Sequence, residues 1–133
     1  VNLWFLQGHT ARFTPKLAGS PDGQKVLITG PRGELWIYSV RLQKIEKDFG
    51  AEACNECGTP VFSGDGKFAV TSSAIGAAKR LIKVWNVNSH LVEGQIEISF
   101  RGLPPEVDIS SDGSFLLAQC DSDKAYVWNL RKA

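Results

Sequence analysis

Cys54-Asn55-Glu56-Cys57 is the first place in this sequence where residue type and spacing suggest chemistry. A Cys-x-x-Cys pair serves as half of a zinc site or as a redox couple. Structural zinc takes four ligands, and the second Cys or His pair is absent. A thioredoxin-like couple needs a βα context that this chain lacks. The three cysteines are an odd number, with Cys120 far from the other two. A disulfide framework in a small secreted chain uses an even count, so free thiols in a reducing compartment, cytosol or nucleus, are expected. The 54–57 segment then reads as a surface loop with incidental cysteines.

Other catalytic patterns fail sooner. His9 and His90 are the two histidines, and neither sits in a Ser/Asp constellation. Gly30-Pro31-Arg32-Gly33 lacks the Lys-Ser/Thr of a phosphate loop. An active site would need clustered carboxylates or histidines, whereas Arg12, Lys16 and Glu106 are the main candidates where one is wanted. No catalytic residue, metal or cofactor is expected, and the chain reads as a non-enzyme.

Composition narrows the partners. The 15 Lys+Arg against 14 Asp+Glu leave a net charge of +1, which argues against nucleic acid and against a polybasic membrane surface. No run approaches the length of a membrane-spanning helix. With 133 residues, 43% hydrophobic and 22% charged, one globular domain is expected. Met is absent even at position 1, which suggests a piece of a longer protein.

The elements that must position these residues repeat. Ser20-Pro21-Asp22-Gly23, Ser63-Gly64-Asp65-Gly66 and Ser111-Asp112-Gly113 place an Asp-Gly turn at intervals of 43 and 47 residues. An apolar residue and Trp follow each turn: Leu35-Trp36, Val84-Trp85 and Val127-Trp128, with intervals of 49 and 43. Two marks keeping step over three units indicate a repeat architecture. Each Asp-Gly opens a short apolar run, and Gly at such a turn tolerates positive φ. No window holds a helical period. The chain is expected to be all-β.

These residues resemble the WD-repeat family, whose units carry Gly-His, Ser-Pro-Asp-Gly and Trp-Asp. Gly8-His9-Thr10, Ser20-Pro21-Asp22-Gly23 and Leu35-Trp36 match the first unit; the later ones carry Phe49-Gly50 and Phe100-Arg101-Gly102 in place of Gly-His. The family's Asp after Trp is replaced by Ile37, Asn86 and Asn129, so its His–Ser/Thr–Asp–Trp network is incomplete. The resemblance implies three four-stranded blades of a partial β-propeller, from units near 1–40, 41–90 and 91–133. It implies structural roles for His9, Asp22, Trp36, Asp65, Trp85, Asp112 and Trp128. The strands then fall at 2–6; 12–18, 25–30, 34–38 and 44–49; 59–62, 68–73, 81–86 and 95–100; 106–109, 115–120 and 125–130. Pro15, Pro60 and Pro105 lie in or beside each innermost strand, where an edge tolerates proline.

Function follows as an expectation from the same resemblance: an intracellular, cytoplasmic or nuclear scaffold for protein–protein interaction. Residues 73–80 lengthen one turn, since Asp65 to Trp85 is 20 residues against 14 and 16 in the other units. On the strand map that loop shares a face with Arg32, Cys54, Cys57, Asp121 and Asp123, so a protein partner is expected there, with Lys79 and Arg80 contributing. The remaining blades of a parent chain, or a second copy, are expected to complete the ring. Trp128-Asn129-Leu130-Arg131 also resembles the Trp-Asp-x-Arg tag of propellers that serve as substrate receptors of cullin ubiquitin ligases. A regulatory propeller appended to an enzyme is the other alternative.

Overall fold

The computed structural model describes residues 16–30, 32–50, 53–76, 78–99, 105–121 and 124–131. The expected strand at 2–6, His9, Arg12, the 100–102 segment and Asp123 lie outside them. All regular structure among the described residues is β. Sheet one runs β1 (Leu17–Gly19), β2 (Lys25–Thr29), β3 (Leu35–Ser39) and β4 (Lys44–Asp48). Sheet two runs β5 (Val61–Phe62), β6 (Phe68–Ala74), β7 (Lys79–Asn86) and β8 (Val92–Ser99). Sheet three has β9 (Glu106–Ile109), β10 (Phe115–Asp121) and β11 (Lys124–Asn129), without a fourth strand among the described residues. Every neighbouring pair is antiparallel and in chain order. The strands expected from sequence agree with these to within about three residues, except β1, whose expected start at 12 lies outside the described residues.

One turn, made three times, starts each second strand. Ser20 Oγ donates to Asp22 Oδ1 at 2.6 Å, Asp22 Oδ1 accepts from Gln24 N, and Lys25 N donates to Ser20 Oγ. Ser63 and Asp65 repeat the set with Lys67 and Phe68. In sheet three the serine is Ser110, which bonds Asp112 while Phe115 N donates to Ser110 Oγ. Sequence spacing points to Ser111 for that role; its place corresponds to Pro21 and Gly64. The turns close on Gly23, Gly66 and Gly113, with φ of 73°, 74° and 76°. At Gly113 a Cβ would also fall 2.4 Å from the Phe68 ring, so this glycine is fixed by packing as well as by dihedral.

The same registers correct the tryptophan alignment. Val40, Val87 and Leu130 donate their N–H groups to Gln24, Lys67 and Ser114 respectively, so these three positions are equivalent. Tyr38 therefore stands where Trp85 and Trp128 stand. The third strands of sheets one and two also break register at matching points, Ile37/Tyr38 and Val84/Trp85. Tyr38 is buried, whereas Trp36 is half-buried on β3 over Gly30, where a Cβ would fall 2.7 Å from its Cη2 atom. Corrected, Asp22 to Tyr38 is as long as Asp112 to Trp128, and sheet two alone carries extra residues.

Those extra residues extend a hairpin. Pairing continues through Ser73↔Leu81 to Ala74↔Arg80, and Ile75 N donates to the Lys79 carbonyl. Ladder hydrogen bonds thus absorb most of the insertion, which the sequence places in a long loop.

Two apolar layers separate the sheets. Leu27, Leu35 and Ile37 of sheet one meet Ala69, Trp85 and Val87 of sheet two. Val70, Ile82 and Val84 on the other face of sheet two meet Ile109, Leu116 and Ala118 of sheet three. Sheet two is covered on both sides, so β6 is buried along most of its length instead of alternating. Sheet three alternates along β10, with Leu116 and Ala118 inside and Phe115 and Leu117 outside. The first strands converge, β5 touching both β1 and β9.

Candidate functional site

Backbone geometry gathers several expected residues at the end of sheets one and two that carries the β2–β3 and β6–β7 turns. The 53–58 segment leaves sheet one and is bonded to both sheets. Cys54 N donates to the Gly33 carbonyl at 2.8 Å, and Ala74 N to the Asn55 carbonyl at 2.7 Å. Gly58 N donates to the Ser72 carbonyl. Lys16 Nζ reaches the Cys57 carbonyl at 2.8 Å, and Arg80 Nη1 the Glu56 carbonyl at 3.2 Å. Five backbone groups of one short segment are thereby satisfied.

The cysteines differ from expectation in two respects. Cys54 and Cys57 are joined by a disulfide, with Cα atoms 5.1 Å apart. They are also buried, Cys54 1% and Cys57 9% exposed, inside the apolar layer between sheets one and two. The reading as a surface loop with free thiols is corrected for this pair: apolar neighbours and the stitched backbone draw the segment inward. The compartment inferred from free thiols loses that ground.

The cations divide. Arg32 has an 80% exposed side chain whose guanidinium lies 3.5 Å from the Glu34 carboxylate, which also accepts the Arg32 N–H. Lys79 is exposed and 3.4 Å from Glu97. Arg80, expected at a partner surface, has a 7% exposed side chain and holds the 53–58 segment from beneath. Its extended-hairpin position opposite Ala74 turns it inward. Asp121 ends β10 opposite Lys124. Of the expected contact residues whose side chains are described, Arg32 and Lys79 offer charge to solvent here.

Sequence reading missed a second link between the same sheets. The Glu46 carboxylate of β4 takes Lys25 Nζ at 3.1 Å and His90 Nε2 at 3.0 Å. Burial works against that carboxylate, but the hydrogen bonds from His90 and Lys25 outweigh it and hold its pKa below the ordinary value. His90 also stands edge-on to Phe49, ring centroids 6.1 Å apart. Neither spacing nor alternation marks this link, because Glu46 lies in sheet one and His90 in the β7–β8 turn of sheet two.

The turn aspartates are lowered in pKa by the hydroxyls and amides that define the turns. Ser20 is the main cause at Asp22 and Ser63 at Asp65. Asp112 falls to about 2, first through the Ser114 hydroxyl, then the Ser114 amide and the Ser110 hydroxyl. These carboxylates are acceptors committed to the backbone, which is a structural use. Arg131, in the segment resembling the receptor tag, pairs with Asp112 at 3.2 Å.

A cleft of about 430 Å³ opens where the first strands converge; among the described residues Lys16 and Glu106 are its titratable lining, beside Thr59, Val61 and Val107. Among the described residues no group of three or more His, Cys, Asp or Glu is placed to hold a metal, and no helix is long and apolar enough to cross a membrane. Compared with known proteins, the chain matches no family model and no curated protein.

Proposed function

We propose that this chain is a segment of a WD-like β-propeller acting as a non-catalytic scaffold for protein–protein interaction, and that a further sheet of the same kind docks on sheet three. One observation carries the reading. Sheets one and two each use the same register positions to cover the next sheet, Leu27, Leu35 and Ile37 in one and Val70, Ile82 and Val84 in the other. The equivalent positions of sheet three are Leu117, Ala125 and Val127. Leu117 and Val127 are 43% and 65% exposed, and Phe115, equivalent to the half-buried Phe68, is 48% exposed. Apolar residues of this size on one face mark an interaction site. The Thr71 hydroxyl accepting from Trp85 Nε1 at 2.9 Å supports the WD likeness, since it supplies the Ser/Thr–Trp link of that family's network.

The covering sheet belongs to the remainder of a longer parent chain or to a second copy. Sedimentation velocity over a concentration series is the test. Self-association into a defined dimer supports the second copy, and open-ended association supports the missing remainder. A stable monomer at every concentration contradicts the docking face.

A further inference from the structure

We propose that the Cys54–Cys57 disulfide is a reducible clasp: its opening by a dithiol loosens the seam between sheets one and two while leaving sheet three intact.

The placement of the bond carries this. Both sulfurs lie within the apolar layer that joins the two sheets. Cys54 gives its N–H to Gly33 in the β2–β3 turn of sheet one, and the intervening Asn55 and Glu56 accept at their carbonyls from Ala74 and Arg80 of sheet two. Glu56 holds a φ of 46°, a left-handed conformation that a non-glycine residue keeps only when its surroundings impose it. The four-residue ring closed by the disulfide is one such constraint. Once it opens, Glu56 is free to return to negative φ, which turns its carbonyl away from Arg80. Unbonded sulfurs cannot remain at bonding distance, so the two side chains must part within a packed layer.

A second observation points to the reduced state. Cys54 Sγ lies 3.8 Å from the buried Ser72 carbonyl oxygen. A disulfide sulfur has no proton to give, whereas the thiol would have an acceptor already in place. The reaction is ordinary exchange. One thiolate of the reductant attacks the sulfur of Cys57, the more exposed residue of the two. The S–S bond breaks, Cys54 leaves as thiolate and takes a proton, and a mixed disulfide remains. The reductant's second thiol attacks that bond, Cys57 leaves and is protonated, and the reductant departs as its cyclic disulfide. Two electrons and two protons pass to the cysteine pair.

The test is native-state hydrogen exchange on the full chain, before and after dithiothreitol, with alkylation counting the thiols. Two thiols should appear, and the amides of Cys54, Gly58 and Ala74 should exchange on the order of tenfold faster or more. The Leu130 amide, bonded to Ser114, reports sheet three and should not change. Unchanged exchange in the reduced chain overturns the proposal. So does reduction that occurs only together with loss of protection at Leu130, because the bond then opens by global unfolding. The variant Cys54→Ser/Cys57→Ser should exchange like the reduced chain with or without dithiol; matching the oxidised chain overturns the proposal equally.

Discussion

Single residues here differ in consequence according to what they are packed against. Trp85 is 9% exposed, its ring centroid stands 4.7 Å from that of Phe49, and its Nε1 proton is held by Thr71. Trp85→Ala removes that volume from the layer between sheets one and two and should cost roughly 3–5 kcal/mol in denaturant titration. Asn129 is exposed and accepts one turn hydrogen bond from Arg131, so Asn129→Ala should cost below about 1 kcal/mol. Comparable losses for the two would remove Trp85 from the core. The two arginines separate in the same way. Arg80→Glu buries a repelling charge beneath the Glu56 carbonyl and should lower stability by about 3–5 kcal/mol. Arg32→Gln loses an ion pair whose cation is mostly in water and should stay within about 0.5 kcal/mol. Arg32 can therefore test partner binding by substitution, whereas Arg80 reports the fold. A melting temperature indifferent to Arg80→Glu would reverse that assignment.

At the scale of elements, the three Ser–Asp turns should govern behaviour in acid. Each carboxylate has a folded pKa below its ordinary value of 3.8, and Asp112 lies at about 2. The unfolded chain thus binds these protons first. The turns contribute fully above about pH 4 and lose that contribution as pH falls toward 2. Thermal melts across this window should show a steady decline. Asp112→Asn, which has no carboxylate to protonate, should flatten part of it; a variant curve parallel to the parent's would deny the turn its role. These turns were also the most legible feature of the sequence. Asp-Gly followed by an apolar run fixes a local geometry, and ten of the eleven described strands fall within about three residues of where the sequence puts them. The errors have physical causes. Leu35-Trp36 imitates an apolar–Trp pair, but the hydrogen bonds from Val40 to Gln24 and from Val87 to Lys67 make Tyr38 the equivalent residue. Burial of Arg80, Cys54 and Cys57 follows from contacts between distant segments, Lys16 with Cys57 and Arg80 with Glu56, which no local pattern encodes. The convergence of the Arg32 turn, the Cys54–Cys57 segment and the long hairpin was legible from strand order alone. Which of their side chains face water was not.

For the molecule as a whole, the outer face of sheet three decides whether the chain is self-sufficient. Leu117 and Val127 lie directly opposite one another on β10 and β11 and point to solvent. Their equivalents in sheet two, Val70 and Val84, are 0% and 4% exposed beneath sheet three. A charge introduced at Val70 would have to be desolvated, whereas one at Val127 stays in water. Val127→Lys and Leu117→Lys should therefore shift the stability of the isolated chain by no more than about 0.5 kcal/mol. The same lysines would oppose docking of another apolar sheet, since an unpaired ammonium would be buried in the new layer. Sedimentation of the parent and the two variants at one concentration distinguishes the cases. Loss of association with an unchanged melting temperature assigns the face to docking. Association that persists in both variants places the contact elsewhere, with the edge of β11 that no described strand pairs the next candidate, because an edge strand can recruit another chain through its backbone alone.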